Sequence, residues 1–403
     1  MKILMVNKFL HPNGGSETYI HKIGSQLQAD GHEVQYFGMN HPKRIVGNRA
    51  EIYTEEMNFR GGGKRFQNPF TIIYSGEAYR KMMAILQDYA PDVVHINNFN
   101  FQLTPSILYA IKKYGKKMGK KIPVIATAHD YQWVCPNHMM RIPVTGELCF
   151  RCQGGKFIHC FHNKCIHGSG LKSLLGSIEG YFYRMRKTYQ LFDVVICPSE
   201  FMNRTLSTNP VFARKTVTMH NFADCSRDAA MRKGDYVLYF GRMAEEKGVD
   251  MLLEVCRRLP EIPFIFAGGG PLVEAVKRVE NIQYMGFLEG LELEETIGKA
   301  RFSLFPSIWY ENCPFSLIET QTFGTPVIAR DLGGAGELVT HEKTGLLLQD
   351  NEADTWVNAI RGMWENKKKC EEFSENCKKI PFYTLKQYCD ILLGIYEKEL
   401  NNR

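Results

Sequence analysis

Short apolar runs alternate with helical patterns along most of the chain. Residues 3–6, 92–96 and 124–128 are apolar runs of strand length, whereas residues 17–30 and 106–117 carry apolar side chains at helical spacing. This alternation is typical of βαβ units, in which helices cover both faces of a parallel sheet. The first half of the chain is therefore predicted to be a doubly wound α/β domain.

The same alternation starts again after residue 233. Runs of strand length at residues 236–240, 263–267 and 302–306 are separated by further helical patterns. A chain of 403 residues also exceeds what one hydrophobic core usually serves. We predict an α/β fold of two Rossmann-like domains facing a central cleft. The predicted boundaries are 1–208 for the first domain, 209–382 for the second, and 383–403 for a C-terminal helix that packs back on the first.

Composition and charge exclude several classes of protein. The chain is 44% hydrophobic and 23% charged, an ordinary globular balance, and its net charge of +7 permits anionic partners without selecting one. No apolar segment reaches the ~18 residues of a membrane span, and the N-terminal apolar run is too short for a secretory signal. We expect a cytoplasmic protein, with a peripheral position on the inner face of the membrane left open.

Glycines follow two of the predicted strands. Gly14 and Gly15 lie between the first strand and the first helix, and Gly268-Gly269-Gly270 follows the run at 263–267. Glycine lets the backbone approach a phosphate, and a helix that follows offers free N–H groups. Plain strand-to-helix turns use glycine as well, so both interpretations stay open on these residues alone.

Charged residues mark two loops of the second half. Arg242 and Lys247 follow the run at 236–240 and could converge on a diphosphate, although two solvated surface cations would give the same pattern. Glu311 and Glu319 are eight positions apart, on either side of a predicted helix start at residues 314–316. Glu319 lies among apolar residues, where a bare carboxylate is costly unless it is paired.

Together, in this order and spacing, these motifs resemble the GT-B glycosyltransferases, specifically the retaining family 4. The matching residues are the Gly14-Gly15 loop, Arg242 with Lys247, Gly268–Gly270, and the pair Glu311 and Glu319. The resemblance covers nearly the whole chain. It implies a transferase that moves a sugar from a nucleotide-diphosphate sugar, UDP or GDP, to a glycan or lipid-linked acceptor, in the synthesis of cell-surface polysaccharide or glycolipid.

The resemblance also implies roles for single residues. Arg242 and Lys247 would hold the diphosphate and stabilise the charge of the leaving group, Glu319 would hold the ribose, and Glu311 would contact the donor sugar. His129 would lie near the reacting sugar. The remaining donor-binding residues would line the phosphates: Gly14, Gly15, Gly269, Gly270, Cys313, Pro314, Phe315 and Ser316.

The sequence contains no Asp-x-Asp motif, which in the other glycosyltransferase fold holds a divalent ion on the diphosphate. We therefore expect cationic side chains in place of a catalytic metal. Two other functions stay open. One is a GT-B enzyme that is a nucleotide-sugar epimerase or a phosphorylase, and the other, more remote, is a zinc-containing nucleic-acid-binding protein. No nucleic-acid partner is expected.

Residues 131–170 do not follow the strand and helix alternation. This Cys-rich insert holds a Cys-x2-Cys pair followed by a Cys-x4-Cys pair, and we predict a structural zinc ion at Cys149, Cys152, Cys160 and Cys165. Reduced cysteines without a ligand and redox pairs are the alternatives, and Cys135 or a histidine could replace one ligand. Because the insert follows His129, we expect it to shape the acceptor site.

Six lysines lie between residues 112 and 121 in the first domain. A solvated helix face explains them, and so does attraction to an anionic membrane surface. The second interpretation suits a lipid-linked acceptor.

Overall fold

The computed structural model describes residues 1–56, 69–224 and 231–402. The chain divides into two compact units. The first contains Met1–Met219 together with Leu385–Arg403, and the second contains His220–Thr384. Each unit is built on one six-stranded sheet whose neighbouring strands are all parallel.

The sheet of the first unit has the order β2-β1-β3-β4-β5-β6. Its strands are β1 (Lys2–Val6), β2 (Glu33–Phe37), β3 (Val93–Ile96), β4 (Val124–Thr127), β5 (Val194–Cys197) and β6 (Thr216–Thr218). Its helices are α1 (Gly15–Ala29), α2 (Gly76–Tyr89), α3 (Ser106–Met118), α4 (Ile158–His162), α5 (Gly170–Met185), α6 (Glu200–Ser207) and α14 (Leu385–Asn401). The central strands β1, β3 and β4 are buried at nearly every position, as expected of a parallel sheet covered on both faces.

The sheet of the second unit has the order β12-β11-β10-β7-β8-β9. Its strands are β7 (Val237–Phe240), β8 (Phe264–Ala267), β9 (Ile282–Gly286), β10 (Phe302–Phe305), β11 (Val327–Arg330) and β12 (Gly345–Leu348). Its helices are α7 (Val249–Arg257), α8 (Val273–Val276), α9 (Gly290–Lys299), α10 (Phe315–Thr322), α11 (Ala335–Leu338), α12 (Ala353–Glu365) and α13 (Lys367–Cys377). Its largest core cluster packs α7, α12 and α13 against the sheet, with Trp356 fully buried.

The C-terminal helix α14 packs against α1 within the first unit. The hydroxyl of Tyr19 on α1 lies 3.0 Å from the hydroxyl of Tyr388 and 3.0 Å from the hydroxyl of Thr127 on β4. His95 on β3 hydrogen-bonds Tyr396 of the same helix and, at 2.8 Å, Thr127. A buried polar network therefore joins the last helix of the chain to the first sheet, and in a dry interior such a network fixes one arrangement.

The α/β class and the two-sheet arrangement expected from the sequence are confirmed. The extent of the first unit differs from the predicted boundary at residue 208, because β6 pairs with β5 and belongs to the first sheet.

Both sheets have a topological switch point, where the chain turns from one side of the sheet to the other. In the first unit it lies between β1 and β3, and in the second between β7 and β10. Loops at the carboxyl ends of such strands diverge and leave a crevice, which is where open α/β folds bind ligands. The carboxyl ends of β7 and β10 are therefore the first place to look for a site in the second unit.

Candidate functional site

The switch point of the second unit brings together three residues predicted from the sequence. Arg242 and Lys247 lie on the loop after β7, and Glu311 lies on the loop after β10. The two loops are joined by their backbones, because the amide of Ile308 donates to the carbonyl of Glu246 at 3.1 Å. Gly248 makes this approach possible: its φ is +73°, and a Cβ there would lie 2.1 Å from the carbonyl oxygen of Pro306.

Glu311 is the hub of this site. Its Oε1 atom accepts hydrogen bonds from Lys247 Nζ at 2.5 Å, Ser307 Oγ at 2.8 Å and Trp309 Nε1 at 2.6 Å. The side chain of Glu311 is 10% exposed and that of Lys247 is 24% exposed, so this ion pair is only partly screened by water. The ammonium of Lys247 also lies 5.4 Å from the centroid of the Trp309 ring. These contacts hold a cation in one position at the end of the sheet.

Arg242 differs from Lys247 in being open to solvent. Its side chain is 57% exposed, and its guanidinium pairs at 3.1 Å with the carboxylate of Glu246, four residues further along the same loop. An exposed pair of this kind contributes little to stability, so the guanidinium can exchange partners at low cost. A planar guanidinium with five donors suits a phosphate group.

The helix expected near residues 314–316 begins at Phe315, where Pro314 precedes its first turn. Glu319 lies on this helix, α10, and is partly exposed. The backbone of Cys313 is fixed from the other side, since the side-chain amide of Asn221 donates to its carbonyl at 2.7 Å. The amides at the start of α10 have no partner within the helix, which makes them available to an anion.

The backbone of Glu311 is fastened to the loop after β11. The amide of Gly334 donates to the carbonyl of Glu311 at 2.8 Å, and a Cβ on Gly333 would lie 2.6 Å from that same oxygen. The loops after β7, β10 and β11 therefore form one connected rim. The structure brings Lys247 and Glu311 together on this rim, and the donor-binding role of both residues stays a prediction.

Close packing against a neighbouring loop explains why glycine occupies two of the three positions after β8. A Cβ on Gly268 would lie 2.0 Å from the carbonyl of Gly241, and one on Gly270 would lie 2.3 Å from the carbonyl of Met243. Only Gly269 has open space at its Cβ position. The contact between the loops after β7 and β8 thus accounts for two of the three glycines, and Gly269 and Gly270 remain exposed at this edge.

At the switch point of the first unit, Gly14 precedes α1 and Gly15 is its first residue. A hydrogen-bonded group around Glu17 lies at the same place and was not predicted from the sequence. Glu17, on the first turn of α1, is 2% exposed. Its carboxylate accepts from Asn7 Nδ2 at 2.8 Å and Ser16 Oγ at 2.9 Å, and burial raises its pKa. Asn98, after β3, donates from its side-chain amide to Ser16 at 3.0 Å.

His129 lies just beyond the end of β4. Its Nε2 is 2.8 Å from Asn97 Oδ1, and the amide nitrogen of Asn97 donates to the carbonyl of Val6 at 3.4 Å, which leaves Oδ1 to face the imidazole. Nε2 is therefore assigned as the protonated nitrogen. Burial lowers the pKa of His129 to about 4, so the ring is neutral at pH 7. A neutral, oriented imidazole can donate or accept a hydrogen bond without bringing a charge.

The cysteines of the insert converge on one small cavity. Cys135, Cys149, Cys152, Cys160 and Cys165 line it together with Asn137, Arg141 and Asn163, and its volume is about 10 Å³. Within the described ranges 1–56, 69–224 and 231–402, no group of three or more His, Cys, Asp or Glu side chains stands ready to hold a metal ion. The zinc site stays a prediction, although all four of its cysteines have been brought together. None of the described helices has the length and apolar character needed to cross a membrane.

Comparison with known sequences identifies the family of this chain. The family model of Glycosyltransferase Family 4 matches residues 13–227, more than half of the chain, and that of Glycosyl transferases group 1 matches residues 227–380. An uncharacterized glycosyltransferase of Methanocaldococcus jannaschii is 27% identical over 54% of this chain and 62% of its own length. Alpha-D-kanosaminyltransferase of Streptomyces kanamyceticus is 27% identical over 40% and 45%. The chain thus spans about half the length of the curated relatives it matches.

Solved structures share the fold over the whole chain. Sucrose-phosphate synthase from Thermosynechococcus elongatus has a TM-score of 0.71 at 15% identity and full coverage of both chains. Anabaena HepE in complex with UDP-glucose has a TM-score of 0.66 at 16% identity, covering 99% of this chain and 100% of the other. Identities this low bear on the fold alone, which is GT-B. With two family models matching in succession along its length, the chain belongs to Glycosyltransferase Family 4.

Proposed function

We propose that this protein is a retaining glycosyltransferase that takes its sugar from a nucleotide-diphosphate donor, UDP or GDP, without a catalytic metal. The acceptor we propose is a glycan or a lipid-linked sugar, and the setting is synthesis of cell-surface polysaccharide or glycolipid at the cytoplasmic face of the membrane. One observation carries the proposal: a partly buried lysine is held by a glutamate at the switch point of the second sheet.

The chemistry follows from the charge that glycosyl transfer creates. When the bond between the sugar and the diphosphate breaks, negative charge grows on the leaving phosphate. Lys247 is already placed by Glu311 and Trp309, so it needs little reorganisation to stabilise that charge. Arg242, with its exposed guanidinium, would close on the diphosphate from solvent.

The rest of the donor has matching partners on the same rim. Glu319 on α10 would accept hydrogen bonds from the ribose hydroxyls, and the backbone amides of Cys313, Phe315 and Ser316 would donate to the phosphates. The neutral His129 would hydrogen-bond the reacting sugar. In this scheme the leaving phosphate itself takes the acceptor's proton, so no protein nucleophile is assigned.

Named relatives support the class of reaction and the setting. O-antigen biosynthesis glycosyltransferase WbnH of Escherichia coli is 28% identical over 49% of this chain and 58% of its own length. The Anabaena HepE structure holds UDP-glucose, which makes a nucleotide-diphosphate sugar the natural class of donor to test first.

The deciding experiment is product analysis with UDP- and GDP-sugars and candidate acceptor glycans in EDTA. We expect transfer with retention of the anomeric configuration, read by proton NMR of the product, and loss of transfer in Lys247→Met. Conversion of the donor without any acceptor would favour the epimerase, and dependence on free phosphate would favour the phosphorylase. An inverted product would refute the retaining assignment.

The membrane partner has support of its own in the first unit. Helix α5 exposes an apolar row at seven-residue spacing, with Leu171 at 72%, Ile178 at 43% and Met185 at 75% exposure. Cations flank the row, and Glu179, the single acidic residue between 151 and 190, is buried at 4% exposure. Such a face suits the headgroup region of an anionic membrane.

The basic helix α3 extends the same surface. The guanidinium of Arg186, just beyond α5, lies 5.6 Å from the Tyr109 ring on α3, and five lysines on and after that helix are exposed: Lys112, Lys113, Lys116, Lys117 and Lys121. We expect flotation with vesicles containing phosphatidylglycerol but not with pure phosphatidylcholine. Leu171→Glu should weaken it, whereas Leu291→Glu, an equally exposed leucine of the second unit, should not. Equal behaviour of the two variants would contradict this part of the proposal.

A further inference from the structure

We propose that the Cys-rich insert binds one structural Zn²⁺ through Cys149, Cys152, Cys160 and Cys165, and that Cys135 is not a ligand. The local fold brings these residues together from two segments. A hairpin closed by the bridge between Arg141 and Leu148 delivers the first pair, and helix α4 with the turn after it delivers the second. All four cysteines line the same cavity.

The backbone around the first pair suits a metal-bound sulfur. The amide of Arg151 donates to Cys149 Sγ at 3.5 Å, so this sulfur already accepts a hydrogen bond from inside the Cys-x2-Cys turn. Donors to the sulfurs fix the orientation of metal ligands. Gly154, with φ of +68°, turns the chain away immediately after Cys152.

Polar groups beside the cavity can stabilise negative charge. Neutral thiols do not carry such a charge, whereas metal-bound thiolates would. Asn163 accepts from Arg151 at 3.4 Å through its oxygen, while its buried amide nitrogen has no hydrogen-bond partner among the residues that the structure describes. Binding of Zn²⁺ to four thiols releases four protons and leaves a cluster of charge −2. Arg141 lines the cavity, Arg151 is held at its edge by the cavity-lining Asn163, and the amide of Asn163 can donate to a thiolate.

The size and composition of the insert's core give a reason for a metal. The buried cluster around the paired cysteines consists of Ile142, Cys152, Phe157, Cys160 and Cys165, so three of its five members are cysteines. With two apolar side chains besides the cysteines, this cluster stabilises its part of the insert poorly, and small modules of this kind use a metal or disulfides instead. The other buried apolar residues of the insert, namely Tyr131, Trp133, Val134 and Met140, lie outside this cluster. A cavity of about 10 Å³ holds roughly one water-sized sphere, which is room enough for a zinc ion.

Cys135 lines the same cavity but differs from the other four cysteines in the contact that its thiol makes. Its thiol donates to Asn137 Oδ1 at 2.8 Å, and it belongs to neither pair in the sequence. A structural zinc site is closed by four ligands in a tetrahedron, so a fifth thiol is not needed. Because the thiols as placed do not yet form such a tetrahedron, binding requires them to rotate toward a common centre.

The test is the metal content of the purified full chain, expressed with zinc and dialysed, measured by mass spectrometry of the elements. We expect one zinc per chain in the wild type, and less than a tenth of that in Cys149→Ser and Cys165→Ser. Cys135→Ser, in the same cavity, and Cys256→Ser, in the second unit, should both keep the metal.

A second measurement uses the wild type alone, so it does not depend on whether the variants fold. Protein expressed with cobalt should show the intense visible absorption of a tetrahedral thiolate complex. A wild type without metal, zinc retained in both ligand variants, or a disulfide between Cys160 and Cys165 would overturn the proposal. Metal content is read without any transfer reaction, so this failure is distinct from failure of the proposed function.

Discussion

The three hydrogen bonds that Glu311 accepts allow a quantitative prediction about the free energy of unfolding. Replacing Glu311 with alanine removes the acceptor of three donors at once, namely Lys247, Ser307 and Trp309. A buried donor left without a partner costs about 1–3 kcal/mol. The three losses do not add in full, because Ser307 already reaches the carbonyl of Glu246 at 3.4 Å and Lys247 is 24% exposed. We expect Glu311→Ala to lower the free energy of unfolding by about 2–4 kcal/mol.

Glu311→Gln separates the charge from the hydrogen bonds. The amide oxygen can accept from the same three donors, so only the ionic part of the bond to Lys247 is lost, about 1 kcal/mol. Glu295→Ala is the matched control, since Glu295 pairs with Lys299 on the surface of the same unit at 56% exposure and should cost less than about 0.5 kcal/mol.

Urea denaturation of the full chain, followed by tryptophan fluorescence, measures these differences. Hydrogen exchange of peptides that cover residues 300–320 locates the loss in the second unit. If Glu311→Ala costs no more than Glu295→Ala, the hub does not stabilise this rim. If Glu311→Gln costs as much as Glu311→Ala, the charge and not the set of three hydrogen bonds is what matters, and the reasoning fails.

Three further predictions concern the two sheets. Gly270→Ala should cost about 1–3 kcal/mol in urea denaturation, because its Cβ would meet the carbonyl of Met243, while Gly269→Ala should be nearly neutral; equal costs would contradict the packing argument. Tyr19→Phe and Tyr388→Phe should each cost about 1 kcal/mol and be non-additive in a double-mutant cycle, and simple additivity would refute their coupling. Burial lowers the pKa of His95 from 6.5 to about 3, so between these pH values the unfolded state binds a proton that the folded state does not bind. The free energy of unfolding should therefore fall by about 1.4 kcal/mol per pH unit from pH 6.5 toward pH 3. An unchanged slope in His95→Gln would contradict this.

Much of the fold could be predicted because its central strands are fully buried. Continuous apolar runs such as β1 and β4 stand out in any sequence, and a helical pattern follows β1, whereas the Cys-rich insert follows β4. The edge strand β6 was missed because it is the three-residue segment Thr-Val-Thr, with no buried position. An edge strand of this kind is defined by its pairing with β5, which no local pattern records.

The candidate site was predictable only where the chemistry is local. Lys247 and Glu311 could be expected from their places after strands, but the hydrogen bonds from Ser307 and Trp309 depend on how the loop after β10 folds. Glu17 was missed because an acidic residue on the first turn of a helix is ordinary there. Its burial results from contacts with distant segments.

The role of the glycines after β8 could not be decided from the sequence either. A glycine required by a neighbouring backbone and one required by a ligand look alike along the chain. The structure separates them, because the carbonyls of Gly241 and Met243 occupy the space that side chains at Gly268 and Gly270 would need. Gly269, with open space, is the one that packing does not explain.

The central claim is that Lys247 and Arg242 bind the diphosphate of a nucleotide sugar without a metal. Calorimetric titration of UDP and of GDP into the full chain, in EDTA, tests it most directly. We expect one nucleotide to bind, and its affinity to fall at least about tenfold in Lys247→Met and in Arg242→Met, which corresponds to ~1.4 kcal/mol for each lost charge-assisted contact. Lys277→Met, an exposed cation of the same unit paired with Glu274, should bind as the wild type does. No binding to the wild type, or equal affinity in all three variants, would contradict the account.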